Sequence, residues 1–252
     1  MTDPNEYFQN RRTIRKYDAA KPVSLELIDS LLEKAAQAPN TGNMQIYSVV
    51  VTTSPEGIKA LGPAHFNQPA IANAPCVLTF CLDFNRFNKW CEASNCEGGL
   101  NNLQGFTWGV MDTAIFAQQF VTLAEMNGLG TCYLGTTTFN AELIKETLDL
   151  PKGVVPVITV TVGYPAEDPG LTQRLPLKAI VHHEKYADPT FEQVKELYAE
   201  EESLPVNKKF VEENGKENLA QVFAQVRYPK EMDEQFSRVY LEFLKNQGIS
   251  LG

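Results

Sequence analysis

The sequence predicts one domain that contains both helices and strands. Three runs rich in β-branched residues, at residues 47–53, 74–83 and 154–165, are typical of buried strands. Amphipathic periodicity at 24–38 and a longer apolar run at 110–127 are typical of helices. No internal repeat and no change in composition divides the 252 residues, so we expect the whole chain to fold as a single domain.

The two helices carry recognisable end signals. Ser24 can cap the first helix with its side chain, and Pro39 helps to end it. The second helix is apolar around most of its circumference, which places it at the centre of the domain or in a dimer interface. Gly128 and Gly130 are expected to end this second helix.

The remaining segments are assigned from their composition. Residues 84–108 have no periodicity and are expected to form a loop, of a length that usually serves as a lid or a binding segment. A short helix is expected at 140–148. Residues 190–252 are expected to form a charge-rich helical extension, interrupted by an irregular, exposed stretch at 204–215.

The acidic balance of the chain argues against nucleic acid as a partner. The formal net charge is −9 and the pI about 5.0, whereas binding to a phosphate backbone needs clustered Lys and Arg. No apolar run approaches the roughly 18 to 20 residues that span a bilayer, and the polar N-terminus has no secretory signal. We therefore expect a cytoplasmic protein whose partners are neither membranes nor nucleic acids.

The cysteines indicate neither a disulfide framework nor a metal site. There are five of them, an odd number, and none shows CxxC spacing. Cys91 and Cys96 form a close pair in the predicted loop. At these two positions reduced thiols are favoured over a redox pair.

A basic run, RRTIRK, occupies residues 11–16. Guanidinium groups with a hydroxyl nearby offer the charge-assisted donors that a phosphate monoester needs. In an extended chain Arg11, Thr13 and Arg15 point to one side and the residues between them to the other. The alternative is a solvated basic stretch near a terminus.

Three further segments offer polar or glycine backbone contacts. Residues 40–45, NTGNMQ, carry amides and a hydroxyl suited to a planar heteroaromatic edge or a ribityl chain, or else form a polar turn. Residues 128–135, GLGTCYLG, let backbone N–H groups approach a ligand, although their spacing is not that of a dinucleotide fingerprint. Arg174 adds a guanidinium after the last predicted strand.

The order and spacing of these motifs resemble the nitroreductase/flavin reductase family over nearly the whole chain. The C-terminal YLEFLKNQGI is similar to the larger, NADPH-preferring branch. The resemblance implies an α+β fold with a mainly antiparallel central sheet flanked by helices, in an intertwined homodimer that binds FMN at its interface. The motifs that carry it are RRTIRKYD, APNTGNMQ, GLGTCYLG, LPKGVVPVITVTVGYP and QRLPL.

The resemblance implies a set of FMN-binding residues. In the family, the first segment of this set holds the phosphate and ribityl chain, the Gln bonds the pyrimidine edge, and a backbone N–H of the Y-L-G stretch lies near flavin N5. Thr136 replaces a family Gly, and Thr172 stands where a basic residue is expected, so phosphate affinity is expected to depend more on the basic run. The set is Arg11, Arg12, Thr13, Arg15, Asn40, Thr41, Asn43, Gln68, Tyr133, Leu134, Gly135, Thr136 and Arg174.

The implied activity is that of an FMN-dependent NAD(P)H oxidoreductase. A ping-pong cycle would carry hydride through flavin N5 to nitroaromatic, quinone or flavin acceptors, and no protein side chain is assigned as catalytic. Arg15 is expected to raise the flavin reduction potential by its charge. Arg227 matches a position that contacts the 2′-phosphate of NADPH, and Lys208 and Lys209 are further candidates for that contact; exposed charges on a helical tail are the alternative.

Several alternatives stay open on the sequence. The same fold can support other enzymatic activities: dehalogenation, ene reduction or the supply of reduced flavin. The alternatives that are not enzymes are a flavin carrier, a flavin sensor and a flavin-free phosphate-binding protein. Phe106 and Trp108 form either a wall of the substrate pocket or part of the core. His182 and His183 are expected on an edge strand, as surface or dimer-contact residues.

Overall fold

The computed structural model describes residues 4–252 and centres on an antiparallel sheet. Its order is β1-β2-β4-β3, and each neighbouring pair is antiparallel, so the predicted antiparallel sheet is confirmed. The three predicted strands are present with slightly shorter bounds. The strands are β1 (Tyr47–Thr52), β2 (Cys76–Asp83), β3 (Gly130–Leu134) and β4 (Val154–Gly163).

The chain divides into two compact units, Met1–Gly170 with Arg238–Gly252, and Leu171–Ser237. The prediction of one domain over residues 1–252 stays a prediction. The first unit contains the sheet and most of the helices. These helices are α1 (Pro4–Asn10), α2 (Leu25–Ala35), α3 (Pro55–Leu61), α4 (Pro69–Ala72), α5 (Phe84–Ala93), α6 (Leu103–Met126) and α7 (Ala141–Thr147).

The main core lies between the sheet and the helices α2 and α6. Ser24 caps α2, as predicted, by accepting a hydrogen bond from the N–H of Leu27 at 3.2 Å. Phe116 and Phe120 of α6 pack on Phe80 of the central strand β2 with ring centroids 5.4 and 5.8 Å apart. These side chains are buried, and their removal from water is the main stabilising contribution of this layer.

The prediction of a loop at 84–108 is wrong, because two helices occupy most of that segment. Asp83 caps α5 by accepting from the N–H of Arg86 at 2.9 Å. Asn102 caps α6 in the same way, accepting from the N–H of Gly105 at 3.0 Å, so α6 begins seven residues before the predicted 110. Short polar caps, which periodicity does not detect, therefore set both starts.

The end signals of α6 differ from the prediction in one respect. Gly128 follows the helix with a φ of +82°, the left-handed conformation that glycine adopts readily. Gly130 is instead the first residue of β3, where an added Cβ would lie within 2.8 Å of Ile14 side-chain atoms. Its role is close packing of the chain start on the sheet.

The second unit is helical and carries two corrections. The stretch at 204–215 is not irregular: a helix with a Pro in its first turn occupies most of it. His182 and His183 do not lie on a strand; the His182 ring instead lies 4.3 Å from that of Tyr186. The helices of this region are α8 (Phe191–Ser203), α9 (Pro205–Glu213), α10 (Leu219–Val222), a π-helix (Phe223–Arg227) and α11 (Lys230–Asn246).

None of the helices within residues 4–252 combines the length and apolar character that crossing a membrane requires. α11 begins in the second unit and ends in the first. There its buried residues Phe243 and Leu244 join a cluster with Leu82 and Phe84, and half-buried Phe106 and Trp108 of α6 pack against the same cluster. The last two side chains therefore contribute to the core.

Candidate functional site

The basic run lies against the edge of the sheet. The N–H of Ile14 donates to the carbonyl of Thr131 in β3, and the N–H of Ala166 donates to the carbonyl of Lys16, both at 3.0 Å. Ile14 itself is buried. The basic run is therefore fixed in an extended conformation between β3 and the segment that follows β4.

Arg11 is held by the carboxylate of Glu125 near the end of α6. Its Nε and Nη2 donate to the two oxygens of Glu125, each at 3.2 Å, and its Nη1 lies 3.4 Å from the hydroxyl of Thr13. Glu125 also accepts from the hydroxyls of Tyr7 (2.7 Å) and Thr131 (2.5 Å). Because the Glu125 side chain is only 8% exposed, this convergence of donors fixes the guanidinium in one place.

Arg12 and Arg15 have different electrostatic surroundings. Arg12 forms an ion pair with Asp168 at 3.2 Å, in which the two side chains are 34% and 67% exposed. Within residues 4–252, Arg15 pairs with no carboxylate through its side chain. It lies beside the buried thiol of Cys132, whose pKa is raised by burial and lowered in part by Arg15 and Arg11. Arg11 and Arg15 thus share a side, as the alternation of an extended chain predicts.

The polar turn at 40–45 is anchored by a second carboxylate of α6. Asp112, which is 2% exposed, accepts from the N–H of Thr41 at 3.0 Å and from its hydroxyl at 2.9 Å. The turn contains left-handed backbone at Asn43 (φ +55°) and Gln45 (φ +51°). Left-handed backbone at residues other than glycine costs free energy and is maintained only where surrounding contacts hold it in place. The hydrogen bonds of Asp112 to Thr41 are among these contacts.

The end of β3 presents open backbone to a ligand. A Cβ added at Gly135 would have no heavy atom within 4 Å, so the space beside this peptide is clear. The turn beneath it is anchored by Thr137, whose hydroxyl donates to the carbonyl of Leu134 (2.9 Å) and accepts from the N–H of Thr159 (3.0 Å). Tyr133 points away to Gln118, 3.2 Å from its hydroxyl.

Gln68 and the end of β3 are linked by a buried histidine. The carbonyl of His65 accepts from the N–H of Gln68 at 3.2 Å, and its Nδ1 lies 2.9 Å from the hydroxyl of Thr136. His65 has no solvent exposure, and this burial lowers the pKa of His65 to about 4. In the described part of the chain the Gln68 carboxamide makes no hydrogen bond, which leaves it available to a ligand.

The second unit holds the other predicted residues. The Nη1 of Arg174 donates to the carbonyls of Thr172 (3.2 Å) and Gln173 (3.1 Å) of its own segment. The Arg227 guanidinium lies over the ring of Phe210, 4.2 Å from its centroid, beside a cavity of about 270 Å³. Such stacking orients an arginine and leaves its N–H donors free.

Three side chains of the site were not predicted from the sequence. Asp112 and Glu125 carried a signal, because they are charged residues in an otherwise largely apolar helix, where a buried carboxylate needs partners. His65 carried none, since a single His beside a turn is most often a surface residue. Its role follows only from the tertiary contact with Thr136.

Fold and site together define an α+β protein with arginines and open glycine backbone at one edge of an antiparallel sheet. The model of the Nitroreductase family matches residues 8–164. The chain therefore belongs to the Nitroreductase family, and the resemblance and the nitroreductase-like fold predicted from the sequence are confirmed.

Relatives cover most of the chain. The FMN reductase (NAD(P)H) of Bacillus subtilis strain 168 is 32% identical over 239 residues, 91% of this chain and 94% of that protein. The oxygen-insensitive NADPH nitroreductase of Salmonella typhimurium is 32% identical over 186 residues, 74% and 75% of the two chains. A structure from Bacteroides fragilis NCTC 9343, of a protein proposed to be an oxidoreductase, has a TM-score of 0.95 at 51% identity and covers 97% of this chain and 99% of its own.

Burial of His65 predicts a specific loss of stability in acid. Its pKa of about 4 in the folded chain lies below its ordinary value of 6.5, so between these values the unfolded chain binds the proton and the folded chain does not. Stability should therefore fall by about 3 kcal/mol from this group as the pH drops from 6.5 to 4. The free energy of unfolding, measured with denaturant between pH 6.5 and 4, should fall by this amount more in the wild type than in His65→Asn. An equal fall in the two proteins would contradict the prediction.

Proposed function

We propose that this chain binds FMN and acts as an NAD(P)H-dependent oxidoreductase on nitroaromatic, quinone or flavin acceptors. The observation that carries the proposal is that β3 has Arg11, fixed by Glu125, beside its first residues, and the open backbone of Gly135 directly after its last residue. Relatives named FMN reductase and NADPH nitroreductase support the reaction class. The sequence-based expectation of an FMN-dependent NAD(P)H oxidoreductase agrees with these names.

The residues present suit FMN. Guanidinium and hydroxyl donors of the basic run suit the phosphate. The carboxamide of Gln68, which makes no hydrogen bond within residues 4–252, and the N–H of Gly135 suit the edge of a flat heteroaromatic ring. Bound FMN supplies the two-electron chemistry, between a nicotinamide and a second acceptor. The protein binds and orients the ring, and the charge of Arg15, whose side chain forms no ion pair within residues 4–252, favours negative charge developing near the ring.

We further propose that the active protein is a homodimer. Asp112 and Glu125 are 13 residues apart on α6, about 20 Å along the helix. The 40–45 turn and Arg11 of one chain are therefore held at distant points, and a site at a dimer interface would unite them. Leu103, Met111 and Ile115, spaced along one side of α6, are 57%, 47% and 41% exposed and suit such an interface.

The remaining site assignments continue as proposals. We assign Arg174 to the FMN phosphate and Arg227 to the 2′-phosphate of NADPH, for which the stacked guanidinium of Arg227 offers oriented donors. Cytoplasmic residence and partners limited to small molecules also remain predictions from the sequence.

The proposal is tested first by the absorption spectrum of the purified protein, followed by anaerobic titration with NADPH and NADH. We expect bands of a bound flavin that bleach on titration, and aerobic NAD(P)H oxidation with menadione or nitrofurazone as acceptor. Yellow protein without turnover would identify a carrier or sensor. Colourless protein that takes up no added FMN would overturn the proposal.

Replacement of Arg15 by Ala tests its role toward the cofactor. Loss of a charge-assisted hydrogen bond is expected to weaken FMN binding about 10- to 100-fold. The FMN midpoint potential should also fall, because a positive charge near the ring is removed. The matched control is Lys16→Ala, which removes the same charge from the neighbouring residue on the opposite side of the run and breaks one pair with Glu167, while the backbone hydrogen bonds from residues 15 and 16 to Glu167 are kept. Equal effects of the two substitutions would refute the assignment.

Arg227→Ala tests the proposed recognition of NADPH. The KM for NADPH is expected to rise about 10- to 100-fold, while that for NADH, which lacks the 2′-phosphate, changes less than about threefold. Lys230→Ala is the control, since it removes one charge three residues away and disturbs only an exposed pair with Glu234. Equal losses for both nucleotides would reject the 2′-phosphate contact.

A further inference from the structure

His65 joins two segments that the proposed function places on the flavin ring. Its backbone carbonyl accepts from the N–H of Gln68 at 3.2 Å, and its side chain reaches the hydroxyl of Thr136 at 2.9 Å. Thr136 directly follows Gly135, whose N–H the proposed function places at the edge of the flavin ring. One buried residue is thus bonded on one side to the segment of Gln68 and on the other to the segment of Gly135.

The turn between His65 and Gln68 is strained. Phe66 and Asn67 both have left-handed backbone, with φ of +54° and +51°. Two consecutive residues in this conformation cost free energy when neither is glycine, and contacts with the rest of the structure are needed to maintain them. Hydrogen bonds from their N–H groups to Pro63 (3.1 Å) and Gly62 (2.9 Å) supply some of these contacts.

Further contacts tie the same two segments together. The Nδ2 of Asn140 donates to the carbonyl of Ala64 at 2.9 Å, and the rings of Phe66 and Phe139 meet edge to face with centroids 6.3 Å apart. Residues 64–66 therefore contact residues 136–140 at three points. Of these, the bond between His65 and Thr136 is the one next to Gly135.

The pairing is a property of this chain's own residues. Thr136 occupies a position where the resembled motif has Gly, which could not make this bond. Thr136 is only 9% exposed and His65 is fully buried. Leaving the hydroxyl of Thr136 or the ring nitrogen of His65 without a hydrogen bond would therefore cost free energy. The Nε2 of His65 has no hydrogen-bond partner in the described chain, which makes the contact at Nδ1 the one that satisfies the ring.

We propose that His65 is a positioning residue that acts through Thr136 to set Gly135 and Gln68 at the separation that FMN requires. The inference rests on the proposed function. The bond fixes the turn after β3 before the cofactor binds, so that the N–H of Gly135 and the carboxamide of Gln68 need no reordering on binding. Without the bond, the strained turn at Phe66 and Asn67 loses one of its external supports.

The test combines two substitutions that break the bond with two that keep it. His65→Leu and Thr136→Val each remove one of the two polar groups of the bond. His65→Asn places an amide where Nδ1 was, and Thr136→Ser keeps the hydroxyl. Thr138→Val is the matched control, because it makes the same chemical change two residues away, where the Thr138 hydroxyl has no hydrogen bond within the described chain. FMN affinity, by fluorescence titration of the FMN-free protein, and the visible spectrum of the bound flavin are measured for each.

We expect the bond-breaking variants to bind FMN roughly tenfold more weakly, with a shifted flavin spectrum, and the bond-keeping variants to bind more tightly than these. The double variant His65→Leu/Thr136→Val should be no weaker than either single one, because both remove the same interaction. Thr138→Val should bind as the wild type does. Additive losses in the double variant, or unchanged affinity and spectrum in Thr136→Val, overturn the inference.

Hydrogen–deuterium exchange separates this result from a failure of the proposed function. In the FMN-free protein, peptides covering residues 133–140 should exchange faster in His65→Leu than in the wild type, whether or not FMN is the ligand. Unchanged exchange there overturns the inference even when the wild type binds FMN. Faster exchange in a protein that takes up no FMN supports the bond as a device of the turn and overturns the cofactor assignment.

Discussion

Two carboxylates on one apolar helix hold the irregular parts of this structure in place. Glu125 gathers donors from Tyr7, Arg11 and Thr131, and Asp112 gathers those of Thr41. Burying a carboxylate is costly unless hydrogen bonds replace its water. Each of the two acids therefore requires the donors of the polar segment around it to stay in place. Since α6 is itself packed on the sheet through Phe116 and Phe120, the positions of these segments follow from the hydrophobic core.

Anchoring through α6 explains how extended, irregular chain can present a precise set of donors. The basic run has only a few backbone hydrogen bonds to β3 and to the chain after β4. Ile14 fixes its register by packing on Gly130, whose missing Cβ makes room. Alternation then sends Arg11 and Arg15 to one side. A buried apolar contact and a buried acid thus position charges that a mobile terminus could not hold at fixed distances.

The sequence predicted what depends on local pattern and missed what depends on tertiary contact. β2 and β4 follow from their β-branched runs, and α2 from its period and the cap at Ser24. The starts of α5 and α6 were missed because single caps, Asp83 and Asn102, determine them without apolar periodicity. Within the site, the family motifs identified the residues that are candidates for binding the cofactor. The groups that orient them lie far away in sequence, and nothing local marks which buried side chain faces which segment.

Charge balance makes the three arginines of the basic run unequal toward an anion. The pair of Arg11 with Glu125 is largely buried and shared with other donors, so removing either partner would leave an uncompensated group. The pair of Arg12 with Asp168 is exposed, and such pairs contribute only about 0–1 kcal/mol, so separating Arg12 from Asp168 costs little. The side chain of Arg15 forms no ion pair within residues 4–252, although Glu167 accepts from the backbone N–H of Arg15 at 2.9 Å. Arg11 is therefore committed to Glu125 and the run itself, whereas Arg12 is held only by an exposed pair and the Arg15 side chain by no ion pair within residues 4–252.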